Sequence, residues 1–123
     1  MLLRIIIVDD LAVATASNRL IHFTYPEVEV ATYTSTAATI SAVDQGPFDL
    51  AILTLHLADG SGVDLARWLR SKQPALPIVF ITGQPGSPLV KEACTLDPYA
   101  MLEKPFLAQP LRTIVGMFLR ARD

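Results

Sequence analysis

Apolar and polar positions along the chain switch repeatedly between a two-residue and a 3.6-residue period. Leu2-Leu3-Arg4-Ile5-Ile6-Ile7-Val8 is a β-branched run closed by Asp9-Asp10, and so continuous a run suits a strand buried on both faces. From Leu11 to about Phe23 the pattern becomes helical, with Val13, Ala16, Leu20 and Phe23 on one stripe. Tyr25-Pro26 stops this helix, because the residue before a proline is pushed out of helical geometry. Val28 to Tyr33 alternates and is rich in β-branched residues, which predicts a second strand, at a sheet edge given its polar faces. Ser35-Thr36 can cap a helix to about Asp44, and Gly46-Pro47 ends it. Phe48 to Thr54 is a third strand, followed by a loop from Leu55 to Gly62. The next helix carries Val63, Leu65, Ala66, Trp68 and Leu69, with Asp64, Arg67, Arg70 and Lys72 on its outer face. Ile78 to Thr82 is a fourth strand, and Gly83 to Pro88 a loop of turn formers. A short helix over about Leu89–Leu96 leads to a short fifth strand, Tyr99 to Glu103. Leu111, Ile114, Val115, Phe118 and Leu119 mark a last amphipathic helix.

Strands and helices therefore alternate strictly, with short connections. Parallel strands need right-handed crossovers, and each crossover helix shields an apolar strand face. The pattern predicts an α/β, flavodoxin-like, doubly wound sheet of five parallel strands in the order 2-1-3-4-5, with helices on both faces. One domain over residues 1–123 is expected, with no output domain within it. There is no repeat of constant period and no low-complexity segment.

Composition narrows the class. A chain of 123 residues that is 51% hydrophobic and 18% charged is globular in composition rather than disordered. No apolar run reaches the roughly 18 residues of a membrane span, and the Leu2–Val8 run is too short and carries Arg4, so it is not a signal peptide either. The lone cysteine, Cys94, excludes a disulfide framework and a multi-cysteine zinc site. Ten basic against twelve acidic residues give a net charge of −2 with no basic cluster, which argues against nucleic-acid binding by this chain. A cytoplasmic location is expected.

In sheets of this kind, functional groups gather where the strands end at their carboxyl side. Polar residues collect there: Asp9 and Asp10 after the first strand, Thr54 at the end of the third, Thr82 at the end of the fourth and Lys104 after the fifth. Each closes a buried run, where an unpaired polar group is costly.

Four motifs stand in order over essentially the whole chain: Val8-Asp9-Asp10, Phe48-Asp49-Leu50 through Gly60-Ser61-Gly62, Phe80-Ile81-Thr82-Gly83, and Glu103-Lys104-Pro105-Phe106. Together they resemble the receiver domains of two-component response regulators. The resemblance implies that Asp9 and Asp10 lie where the family holds magnesium, and that Thr82 and Lys104 lie where it contacts the phosphoryl group and drives the switch. It also implies that the residue ending the third strand accepts a phosphoryl group from a kinase phosphohistidine.

That residue is an aspartate in the family and Thr54 here. Asp49 lies at the opposite end of the strand, about 16 Å away, and Asp59 suits a turn before Gly60. A carboxylate attacks phosphorus without help, whereas a threonine hydroxyl needs a general base, and the labile mixed anhydride cannot form on it. The expectation is an atypical receiver that is not an enzyme and acts as a protein-interaction module without aspartyl phosphorylation. Its magnesium site is expected to be weakened to Asp9, Asp10 and the His56 backbone carbonyl, since magnesium favours carboxylate and phosphate oxygens. With one carboxylate fewer, Lys104 is expected to balance Asp9 or Asp10 directly and to lock one conformation.

A second departure is Met101, where the family usually has an aromatic switch residue three positions before the lysine; Tyr99 falls on the same side by alternation. The partners implied are a histidine kinase, an output domain or another regulator. A homodimer through the face of helix 4, strand 5 and helix 5, with Lys91, Glu92, Tyr99 and Arg112, is also implied. His22 is expected at the surface, His56 in a solvent-facing loop, Trp68 as helix packing or a boundary ring and Cys94 as a small buried residue. The alternatives are a receiver accepting a phosphoryl group on Thr54 or Asp59, and an ordinary receiver whose aspartate was replaced by engineering.

Overall fold

The computed structural model describes residues 3–43, 46–104 and 108–122. Its elements in chain order are β1 (Arg4–Val8), α1 (Leu11–Thr24), β2 (Glu29–Tyr33), α2 (Thr36–Ala42), β3 (Leu50–Thr54), β4 (His56–Leu57), β5 (Gly60–Ser61), α3 (Gly62–Lys72), β6 (Ile78–Thr82), α4 (Pro88–Cys94), β7 (Ala100–Glu103) and α5 (Ala108–Arg122). Five strands form one parallel sheet in the order β2-β1-β3-β6-β7. Counted among themselves these strands run 2-1-3-4-5, the expected flavodoxin-like winding.

Two apolar cores lie on the two faces of this sheet, sorted by strict alternation along the strands. Ile6, Val8, Ala51, Leu53, Ile78 and Phe80 meet Val63, Ala66 and Leu69 of α3 and Ala93 of α4. Ile5, Ile7, Leu50, Ile52, Val79 and Ile81 meet Ala14 and Ile21 of α1 and Leu111, Val115 and Phe118 of α5. Every residue of β3 and β6 is buried, so these central strands supply the rigid base from which their last side chains project. Each large aliphatic group buried here contributes about 1.5–3 kcal/mol.

Four helices start on a side-chain cap. Asp10, Ser35 and Ser61 each accept from the backbone N–H three residues on, and Ser87 from Leu89 N, with Pro88 beginning α4. The α3 end is held by Arg70, whose guanidinium donates to the carbonyls of Leu76, Leu96 and Asp97.

Three expectations need correction. The buried stripe of α1 is Ala14, Ser17 and Ile21 rather than the Val13, Ala16, Leu20 and Phe23 set; of that set Leu20 packs against the core from its margin, while Phe23 is 88% exposed. Both sets have helical spacing, and the small Ala14 and Ser17 let α1 approach its neighbours closely. The loop after Thr54 contains a small antiparallel ribbon, with His56 opposite Ser61 and Leu57 opposite Gly60. Cys94 is exposed rather than buried: it is the last residue of α4, and the residue of that helix turned to the core is Ala93. Leu2, the helix end at Asp44, and Pro105-Phe106 lie outside the described residues.

Candidate functional site at the carboxyl edge of the sheet

Strand register brings the predicted polar residues together. Val8 stands level with Leu53, so Asp9 follows level with Thr54. Thr54 in turn is level with Ile81, and Thr82 with Glu103. Neighbouring strands lie about 4.8 Å apart, which places Asp9, Thr54, Thr82 and Lys104 side by side along one edge. Asp9, Thr54 and Lys104 share the alternation parity of the α1–α5 face. Asp9 and Thr54 are 1% and 3% exposed.

The two acidic residues divide their work. Asp10 caps α1: its Oδ1 accepts from Val13 N at 2.9 Å, and this bond chiefly holds its pKa below the ordinary carboxylate value. Asp9 Oδ1 accepts from Asp10 N at 2.7 Å and from Lys104 Nζ at 2.6 Å. Its Oδ2 is buried with no hydrogen-bond partner among the described residues. Burial pushes the Asp9 pKa up, against the opposing pull of the Lys104 ammonium. Lys104 Nζ also lies 3.5 Å from Asp10 Oδ2, and Lys104 N donates to the Thr82 carbonyl at 2.7 Å, fixing the base of the side chain.

The flanking loops close on themselves. Thr82 Oγ1 accepts from Gln84 N at 3.0 Å, so the hydroxyl is engaged with its own turn. Gly62 N donates to the Leu55 carbonyl at 2.9 Å, and a Cβ on Gly62 would overlap the Thr54 carbonyl oxygen. Asp59 does more than turn the chain: its two carboxylate oxygens accept from Thr36 N at 2.9 Å and Ala37 N at 3.1 Å, tying the ribbon to the start of α2 and lowering its pKa. The exposed His56 ring stands with Nε2 3.3 Å from Ser87 Oγ, joining the ribbon to the cap of α4. The roles of Ser87 and Gln84 were not anticipated, although Ser-Pro opening a helix signals the first.

Other residues lie apart from this edge. Asp49 is at the opposite end of β3, where its Oδ2 accepts from Arg4 N at 2.8 Å. Met101 is half-buried on the α3–α4 face, with Leu89, Val90 and Leu96 packed against the same core. Tyr99 instead meets Phe118 of α5 edge-on, ring centroids 5.9 Å apart; it precedes the edge strand, so strand alternation does not bind it to the Met101 side. Trp68 is half-buried at the border of the α3 core, with Lys72 Nζ 5.6 Å from its ring centre. His22 is exposed.

For a divalent cation the donor set is mixed. The orphaned Asp9 Oδ2 is the kind of buried oxygen a cation satisfies. Against this, Asp9 Oδ1 is already in contact with an ammonium, and no group of three His, Cys, Asp or Glu that could hold a metal occurs among the described residues.

The model of the response regulator receiver domain family matches residues 5–116. The chain belongs to that family. Among curated proteins, this receiver is 32% identical over 77 residues to the response regulator protein PilR of Pseudomonas aeruginosa, covering 63% of the chain and 17% of that protein. It is 31% identical over 112 residues to the DNA-binding transcriptional regulator NtrC of Bradyrhizobium, covering 90% of the chain and 23% of that protein. The receiver thus spans less than a quarter of the length of either. Among solved structures, a CheY-like receiver domain protein from Methanospirillum hungatei superposes with a TM-score of 0.88 at 21% identity, covering 98% of this chain and 96% of that one. That likeness shows the fold.

Proposed function

We propose that this receiver works in two-component signalling as a protein-interaction module that carries no aspartyl phosphate, because Thr54 occupies the acceptor position. The observation that carries this reading is the placement of Thr54: 3% exposed, ending the central strand and level with Asp9. An uncharged alcohol there lacks the nucleophilicity of a carboxylate and needs a base to act. The nearest acid, Asp9, holds Lys104 and the Asp10 N–H on one oxygen. Asp59 makes a poor substitute acceptor, since both its oxygens are bonded to the start of α2.

On this reading residues 1–123 act as one receiver unit that catalyses no reaction of its own and holds magnesium weakly at Asp9, Asp10 and the His56 carbonyl. Lys104, kept on Asp9, and Thr82, kept on its own turn, hold one conformation, with Met101 as packing behind them. The unit meets a kinase, an output domain, another regulator or a second copy through the face of α4, β7 and α5, with the exposed side chains of Lys91 and Glu92 on α4, Tyr99 just before β7 and Arg112 on α5. Nucleic acid is not contacted by this domain itself. Work in the cytoplasm is part of this reading, and no described helix is long and apolar enough to cross a membrane.

The test is incubation of the protein and of Thr54→Asp with a phosphohistidine donor and magnesium, followed by intact mass. The variant should gain one phosphoryl group and the protein none. A phosphoryl group on the protein, mapped to Thr54 or Asp59, overturns the reading and establishes the phosphoryl-accepting alternative.

A further inference from the structure

Two carboxylates and one ammonium form the ion-paired cluster of the edge: Asp9, Asp10 and Lys104. Lys104 Nζ sits between the acids, 2.6 Å from one and 3.5 Å from the other. Beside it the orphaned Asp9 Oδ2, on a side chain only 1% exposed, marks a seat for positive charge.

We propose that Lys104 is the resident cation of this site and that its ammonium, by occupying Asp9, competes with the divalent ion and is the reason magnesium is held only weakly. The inference rests on the reading that Thr54 holds the acceptor position, and it assigns the lysine a role opposed to metal binding rather than one beside it.

Charge balance carries the argument. With the ammonium in place the site bears one negative charge, and adding a divalent ion would leave it with one positive charge too many. A net charge of either sign is costly next to Asp9, whose side chain is almost wholly out of water, while Asp10 at the rim is partly screened by solvent. The ammonium and a divalent ion placed on the same carboxylate would also stand within a few ångströms of each other, where repulsion amounts to several kcal/mol at an effective dielectric near 20. Two single changes restore balance for a divalent ion. Lys104→Met removes the positive charge and keeps an unbranched side chain only one atom shorter. Thr54→Asp keeps the lysine and adds a third carboxylate, hard oxygen of the kind magnesium selects. The two changes are chemically unrelated, yet each leaves a site of two negative charges that a divalent ion neutralises.

Titration of the protein and of both variants with manganese, read by the electron paramagnetic resonance of the free ion and repeated with magnesium by calorimetry, tests this. Both variants should bind about tenfold or more tightly than the protein, a gain of about 1.4 kcal/mol. Circular dichroism melts confirm that each variant is folded before titration; Lys104→Gln replaces Lys104→Met if the latter is not. Binding by the folded lysine variant no tighter than by the protein overturns the proposal, as does binding by the protein as tight as by Thr54→Asp. Either result leaves the reading of Thr54 standing, since that reading fails only on phosphoryl transfer to the protein.

Discussion

Lys104 and Asp9, 95 residues apart in the chain, meet at 2.6 Å across the carboxyl edge of the sheet. The contact joins the residue following the last strand to the residue following the first, with Thr54 on the strand between. Asp9 therefore has a counter-ion on one oxygen and no hydrogen-bond partner among the described residues on the other, and burial rather than pairing sets its pKa, which is raised.

A pH dependence follows. A carboxyl whose folded pKa lies above its unfolded value binds more protons in the folded state. Stability then falls as pH rises from the unfolded value, near 3.8, through the folded one. At neutral pH ionised Asp9 thus weakens the fold. Asp9→Asn should raise the urea midpoint at pH 7, and the gain should shrink as the pH is lowered through that window. A gain that persists unchanged below pH 4 would contradict the assignment.

Asp59 behaves in the opposite sense. Its pKa is lowered by the Thr36 and Ala37 N–H groups, so its stabilisation is present above 3.8 and is lost as pH falls through its folded value. Asp59→Ala should lower stability at pH 7 and speed amide exchange at Thr36 and Ala37. Exchange in β1 should be unaffected.

The fold was legible because β-branched runs and helical stripes alternate with few interruptions, and the Asp9, Thr54, Thr82 and Lys104 edge followed from strand ends alone. What could not be read depended on tertiary choice. Two stripes on α1 have equally good spacing, and only packing selects Ala14, Ser17 and Ile21 over the set ending in Phe23. The ribbon of His56 and Ser61 is too short for any period. Cys94 is exposed because α4 turns its neighbour Ala93 inward, a rotation that seven residues do not specify. The pair of hydrogen bonds from Thr36 and Ala37 at the start of α2 to Asp59 spans more than twenty residues and has no local signature.

Gly62 is required by the close passage of α3 beside the Thr54 carbonyl. Gly62→Ala should cost about 2–3 kcal/mol through overpacking, read as a lower urea midpoint. Gly86, with open space about it, should accept alanine with a change within about 0.5 kcal/mol.

Nitrogen–proton correlation spectra with magnesium and beryllofluoride, a mimic of the bound phosphoryl group, test most directly whether Thr54 has removed the phosphoryl response. When beryllofluoride is added to samples already containing magnesium, the account predicts unchanged resonances for Thr82, Lys104 and α4 in the protein, and shifts at all three in Thr54→Asp. Saturable shifts at those positions in the protein itself would contradict it.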